Sequence, residues 1–372
     1  MNDTDLTSWE IWLCNARGTR IGQLDTVGPF VYSIAANVPG GFELTLPGIF
    51  DKTMLPDDMI EIWRRPTGGR LKRERVYFVR RIRKFDDADG ADWISISGLD
   101  PLDLLRRRIV AYAAGSAQAN MTDYLDDMLK AIVTDNLAGD AVAGRNLAAL
   151  NLTVAPDLSA CDSITRAFSY RKLDILFDEL ANHSRQLGTR LYYDFVPVLQ
   201  SDDTNGFDFR TFTGQPGRDR TYDSGSPVIF GREYGNLEMG SLEYDWSEEE
   251  NYIYAGGQGT EADRNIQEVS DTARVGASPW NRCEGFADAR MSETDDAVVA
   301  QGRAALEEGR PRKTFDGILL DTPQARYGKD WEFGDLVTAT YGGEQFDGVV
   351  SFVQVSVDEN GQERVEARLD IV

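Results

Sequence analysis

The chain has 372 residues and a formal charge of −23, from 39 Lys and Arg against 62 Asp and Glu. That balance excludes a nucleic-acid binder working by overall positive charge, and it excludes adhesion to an anionic membrane surface. With 41% hydrophobic and 27% charged residues the composition is that of a globular chain, long enough for two or three domains.

The first hundred residues alternate as short strands. Trp9, Ile11 and Leu13 share one face, and a turn at 15–18 leads to a second strand at 20–24. Further strands are expected at 30–38 and 42–46, separated by Pro39, Gly40 and Gly41, and then at 59–63, 76–79 and 93–97. Short strands at this spacing suggest a small barrel or sandwich. Near residue 102 the pattern turns helical. Met121, Leu125, Met128, Leu129, Ile132 and Val133 recur at helical spacing, which predicts a helix capped by Asn120 or Thr122. A second helix carries Leu173, Leu176, Phe177 and Leu180 and ends at Gly188. Strands at 190–195 and 207–212 follow, then a long loop at 214–226. From Val228 the pattern is β again. One late helix interrupts it, with Thr294 as its cap, Asp295 and Asp296 in its first turn, and Gly309 and Pro311 as its stop. At the end, Val365, Ala367, Leu369 and Ile371 fall on one face of a strand.

Two segments repeat one another weakly. Residues 58–97 run Asp58, strand, Gly68 and Gly69, strand, Asp89 and Gly90, strand. Residues 335–369 run Asp335, strand, Gly342 and Gly343, strand, Asn360 and Gly361, strand. Asp-Gly and Asn-Gly are tight-hairpin signals, so the segments are either a duplication or two unrelated meanders sharing turn chemistry.

Candidate chemistry is sparse. Cys14, Cys161 and Cys283 are far apart, give neither a disulfide framework nor a zinc spacing, and are expected to be reduced. The one histidine, His183, sits at the edge of a helical apolar stripe and reads as a half-exposed helix residue. Gly256, Gly257 and Gly259 have the wrong spacing for a phosphate loop and read as a turn. Neighbouring acids such as Asp57 with Asp58 or Asp202 with Asp203 are not the cleft-spanning pair of a glycosidase. No catalytic residue, metal ligand or cofactor is assigned, and the chain is not expected to be an enzyme. No apolar run reaches the roughly 18 residues that span a bilayer, and the acidic residues 1–6 are unlike a signal peptide, so no membrane anchor is expected.

The strongest local signal is charge segregation. Ten cations stand between residues 64 and 84 with Glu74 as the single acid: Arg64, Arg65, Arg70, Lys72 and Arg73, then Arg75, Arg80, Arg81, Arg83 and Lys84. Arg106, Arg107 and Arg108 add three more. The run reads as a solvated hairpin face, as a docking surface for an acidic partner or a second copy, or as a nucleic-acid contact. The ten are the candidate interface residues.

From residue 228 onward a family resemblance emerges. Val228, Ile229 and Phe230, then Gly235 to Leu237, Asn251 to Gly259, Arg264 and Gly285 to Arg290 stand in order. Asp321 to Pro323, Arg326 to Gly328 and Phe333 to Val337 continue it, and Trp9, residues 39–46 and residues 98–108 extend it toward the N-terminus. In this order they resemble the siphovirus tail-tip proteins related to the baseplate hub, also called minor tail or tail-associated proteins. The resemblance implies an α+β, mainly β fold with two small β-barrel tube domains and a helical or mixed region between them. It divides the chain into a first barrel at 1–108, a middle α+β domain at 109–227, and a second barrel at 228–372 with a helical insertion around 286–310. It further implies a homotrimeric ring at the tail tip of the virion, made in the host cytoplasm and joining the tail tube or distal tail protein to the tip. The tape measure protein and receptor-binding or fibre proteins are then further partners, and DNA passes through the channel during genome ejection without specific binding. An acidic lumen would repel DNA phosphates. The sequence stops at Val372 directly after a strand, so wall hydrolysis or receptor binding is expected to fall to a partner. Two other readings stay open: a carbohydrate-binding attachment protein using Trp246, Trp280 and Trp331, and a cell-wall hydrolase.

Overall fold

A computed structural model describes residues 7–25, 27–48, 53–111, 119–290, 292 and 294–371. Residues 1–6, on which the signal-peptide reading rests, and Val372 lie outside the described residues. The chain is mainly β and forms two compact units. Unit 1 comprises Met1–Asn182, Arg190–Gly240 and Asp316–Val372, and unit 2 comprises His183–Thr189 and Ser241–Phe315.

In chain order, unit 1 starts with β1 (Ser8–Cys14), β2 (Arg20–Gln23), β3 (Phe30–Ala35), β4 (Gly41–Pro47), β5 (Met59–Arg65), β6 (Lys72–Asp86) and β7 (Asp92–Leu99). A short α1 (Asp103–Arg106), β8 (Ala119–Tyr124), α2 (Leu125–Asn136), β9 (Leu152–Val154), β10 (Ser163–Phe168) and α3 (Leu173–Gln186, its last four residues counted in unit 2) follow. Then come β11 (Leu191–Leu199), β12 (Asn205–Thr213), β13 (Asp219–Arg220), β14 (Ile229–Gly231) and β15 (Leu237–Asp245), whose residues from Ser241 on are counted in unit 2. Unit 2 holds β16 (Tyr252–Gly256), β17 (Ile266–Ser270), α4 (Thr272–Val275), β18 (Glu284–Asp288) and α5 (Asp295–Glu308). The chain returns through β19 (Arg312–Leu320) to β20 (Leu336–Tyr341), β21 (Glu344–Val357) and β22 (Glu363–Ile371).

The main sheet has the order β15-β19-β22-β21-β3-β4-β7-β6-β5-β1-β2, with β20 on β21 and with β13 and β14 parallel to β20. Among the described residues this path is open, and no pairing closes it into a barrel.

The weak sequence repeat has an atomic counterpart. β5-β6-β7 and β20-β21-β22 are both antiparallel meanders with a long central strand. Each first strand is preceded by a buried aspartate, Asp58 or Asp335, exposed by 3% and 2%. Both carboxylates accept a hydrogen bond from the amide three residues back, Leu55 N at 2.7 Å and Glu332 N at 2.9 Å. Their carbonyls accept from Val79 N at 2.7 Å and Val350 N at 2.9 Å. The preceding residue donates back to the same valine, Asp57 N to Val79 O and Gly334 N to Val350 O. That residue is left-handed in both copies, with φ 69° at Asp57 and 84° at Gly334, a conformation Gly adopts freely and Asp tolerates better than most. Both central strands then bulge at the equivalent place, between Val79 and Arg81 and between Val350 and Phe352. Past the bulge, Arg81 stands opposite Ser97 and Phe352 opposite Arg368.

The copies differ in what covers the central strand past that bulge. In β21, Phe352 to Val357 pairs with β3 from Ala35 to Phe30. In β6, no strand pairs the other edge of residues 81–86 among the described residues, because the β5 ladder ends at Met59 opposite Phe78.

The middle of unit 1 packs α2 and α3 over the β11-β12-β9 sheet, with Phe177, Tyr193, Phe195 and Phe209 in mutual aromatic contact at 5.0–5.9 Å. The helix expected to start near Met121 starts at Leu125 instead. Residues 119–124 are claimed by an antiparallel pairing with β10, Thr122 opposite Thr165, so neither Asn120 nor Thr122 caps a helix. In unit 2, α5 lays Val298, Gly302 and Leu306 on Ile253 and Ala255 of the β17-β16-β18 sheet. Thr294 caps it as expected, accepting from Ala297 N.

The two equivalent aspartates give a graded prediction. Asp58→Ala removes one charged side-chain bond to the backbone and is expected to cost about 1.5–3 kcal/mol. Asp335→Ala is expected to cost more, because Asp335 also accepts from Arg218 N at 2.7 Å and Arg220 Nε at 2.9 Å. Urea unfolding of both variants checks the order.

Candidate functional site

The basic run lies on the end of β5, the hairpin at 66–71, and the whole of β6. Gly68, with φ 71°, turns the chain, and Gly69 N closes the turn on Pro66 O at 2.8 Å. The structure divides the ten cations into two groups with different surroundings.

The first group is used inside unit 1. Arg64 is 1% exposed, donates to Glu363 at 2.7 and 2.5 Å and to Tyr327 O at 3.0 Å, and lies 5.1 Å from the Tyr327 ring centre. Arg75 forks between two carboxylates, reaching Asp100 at 3.0 and 2.6 Å and Asp194 at 2.5 and 2.6 Å. Burial lifts the Asp100 carboxyl to about 6, against the pull of Arg75. Arg73 donates to Asn205 Oδ1 at 2.6 Å and Pro197 O at 2.7 Å, and faces the fully buried Glu61 at 3.4 Å. Burial disfavours the Glu61 charge, but Arg20, bonded at 2.9 Å, keeps its carboxyl below the usual range. Lys72 pairs with Glu332 at 2.7 Å near the surface. Glu74, the single acid of the run, accepts from Tyr327 Oη at 2.8 Å, and burial pushes its carboxyl up.

The second group faces solvent. Arg80 is exposed and paired with Asp57 at 2.7 Å. Arg81, Arg83 and Lys84 are exposed and have no ion-pair partner among the described residues; Arg83 lies over the Phe85 ring at 5.1 Å. Ile82 between them is 40% exposed. Arg70 at the hairpin is exposed and Arg65 half-buried. The run is therefore not one surface. Sequence reading missed the carboxylates Asp100, Asp194, Glu61 and Glu363, which are scattered along the chain and carry no local pattern.

The other candidates fall into place. Gly256, Gly257 and Gly259 end a strand and enter a turn closed by Gly257 N to Asn265 O at 2.7 Å. Trp331 is fully buried against Phe230 and Tyr327 and offers no face to a sugar, whereas Trp246 and Trp280 are 58% and 92% exposed. Cys14 and Cys161 are buried and Cys283 is half-buried.

This architecture is that of phage tail proteins of known structure. A 43 kDa tail protein of prophage MuSo2 from Shewanella oneidensis is 12% identical, matched over 98% of this chain and 97% of its own, with a TM-score of 0.58. A tail protein from Neisseria meningitidis is 14% identical over 97% and 96%, with a TM-score of 0.56. Prophage tail protein gp18 from Listeria monocytogenes is 12% identical over 96% and 94%, with a TM-score of 0.52. No curated protein matches the sequence. The chain belongs to the family described as Siphovirus ReqiPepy6 Gp37-like protein, whose model matches residues 8–369. The likeness to these tail proteins is one of fold.

The buried fork yields a prediction with a pH signature. Arg75→Met leaves two carboxylates without their counter-ion and is expected to cost about 3–5 kcal/mol at pH 7. Asp100, already raised to about 6, rises further when the guanidinium is gone, so the variant takes up protons on acidification. Between pH 5 and pH 7 the folded variant therefore binds more protons than the folded wild type, and the loss is smaller at pH 5 than at pH 7. Urea unfolding at both values is the measurement.

Proposed function

We propose that this protein is a ring component at the tail tip, with three copies joining the tail tube or distal tail protein to the tip around the DNA channel. The duplicated meander carries the reading. Two equivalent modules in one chain let three chains offer six similar faces, which suits a ring that abuts a sixfold tube. In the assembled ring each module acts as one of the two barrel-like tube domains, the second carrying α5 as its insertion. Net negative charge suits a channel that DNA passes without sticking, since like charges repel across a confined lumen. The tape measure protein and receptor-binding or fibre proteins are then its further partners.

The exposed half of the basic run, Arg80, Arg81, Arg83 and Lys84, faces protein in this reading, and the buried half holds the subunit together. Native mass measurement of the purified chain is expected to give three copies, and negative-stain images a ring with a central hole. A monomer that persists at all concentrations overturns the ring.

A further inference from the structure

The internal repeat points to how neighbouring copies meet. In the main sheet β4 pairs with β7 and β19 pairs with β22, each outer strand lying on the last strand of its meander. β3 lies next to β4, and β15 next to β19. The equivalence therefore runs β3 to β15, β4 to β19, and β5-β6-β7 to β20-β21-β22. Within one chain β3 of the first module covers the edge of β21 in the second. The equivalent edge in the first module is residues 81–86 of β6, and the equivalent covering strand is β15. Both are unpaired on their outer sides among the described residues.

We propose that β15 of one copy adds as an antiparallel strand to the open edge of β6 in the next copy, repeating between chains the β21–β3 pairing made within each chain. This rests on the ring reading and names the surfaces that would close it. Main-chain hydrogen bonds at a free strand edge supply the attraction, as in other cases of strand addition. The side chains match as well. β15 carries Glu238, Glu243 and Asp245 and no cation, and β6 presents Arg81, Arg83 and Lys84. Glu238 and Glu243 are exposed, as are the three cations. Ile82, exposed on the single chain, stands where Val353 stands in the second module, and Val353 is 1% exposed once β3 covers it. The contact is heterologous, one patch meeting a different patch, which is the kind that closes rings.

Charge reversal tests the pairing on the full-length chain. Arg81→Glu, Arg83→Glu and Lys84→Glu together are expected to abolish the three-copy species in native mass measurements, with the unfolding midpoint of the chain unchanged. Glu238→Lys with Glu243→Lys is expected to do the same. All five substitutions in one chain restore complementarity and are expected to restore three copies. If the wild type is trimeric and the β15 variant stays trimeric, the ring stands and this pairing is wrong. Failure of the five-fold variant to assemble while it remains folded also overturns the pairing. A wild type that is monomeric throughout overturns the ring itself.

Discussion

The pairing of β3 with β21 is the contact on which the rest of unit 1 depends. It joins a strand near the start of the sequence to one near its end, with Tyr32, Ile34, Val353 and Val355 buried along the seam. Each meander alone would present a long open edge past its bulge, and an apolar edge such as Phe352 to Val357 is an aggregation hazard when uncovered. The pairing removes that hazard for the second module and fuses both into one sheet. It also makes the chain's contacts long-range, so the loop entropy of nearly the whole sequence must be spent before this seam can form.

An acidic chain has cations to place with care, and this one uses them in two ways. Arg64, Arg73 and Arg75 leave the meander and reach the last strand, the β11–β12 pair and the segment after β7. Buried ion pairs of this kind add little net stability over an apolar packing of equal volume, because desolvation offsets the Coulomb gain. Their contribution is positional: a fork between Asp100 and Asp194 is satisfied in one arrangement and is costly in others. Arg81, Arg83 and Lys84 sit at an open strand edge, where hydration makes the charge cheap and the edge soluble.

Local chemistry was legible in the sequence and partner choice was not. The Thr294 cap, the helix at 173–186 and the hairpin glycines each depend on a few neighbouring residues, and they appear where the pattern puts them. The repeat was visible through Asp58 and Asp335 and the paired turns because those residues make the same backbone bonds in both copies. The start of α2 was misread because the apolar spacing of Met121 fits a helix as well as a strand, and only the pairing with β10 decides. The basic run was legible as a charge anomaly. Its division into buried and exposed halves depends on carboxylates far away in sequence, and on the point at which the β5 ladder ends.

The signs of the two free edges also restrict how copies of the chain can meet. A two-fold contact through β6 would set Arg81, Arg83 and Lys84 against the same residues of the partner, and one through β15 would set glutamate against glutamate. Like charges placed directly across a strand pair are destabilising. Only the mixed pairing brings opposite signs together, and a mixed pairing has a direction. A chain with one basic and one acidic edge thus disfavours symmetric dimers and leaves head-to-tail addition. Uniform negative charge would keep copies apart, and a single basic patch would invite any acidic surface. In the proposed pairing, a basic edge on β6 and an acidic edge on β15, the counterparts of β21 and β3, would give the −23 chain a specific way to associate with itself.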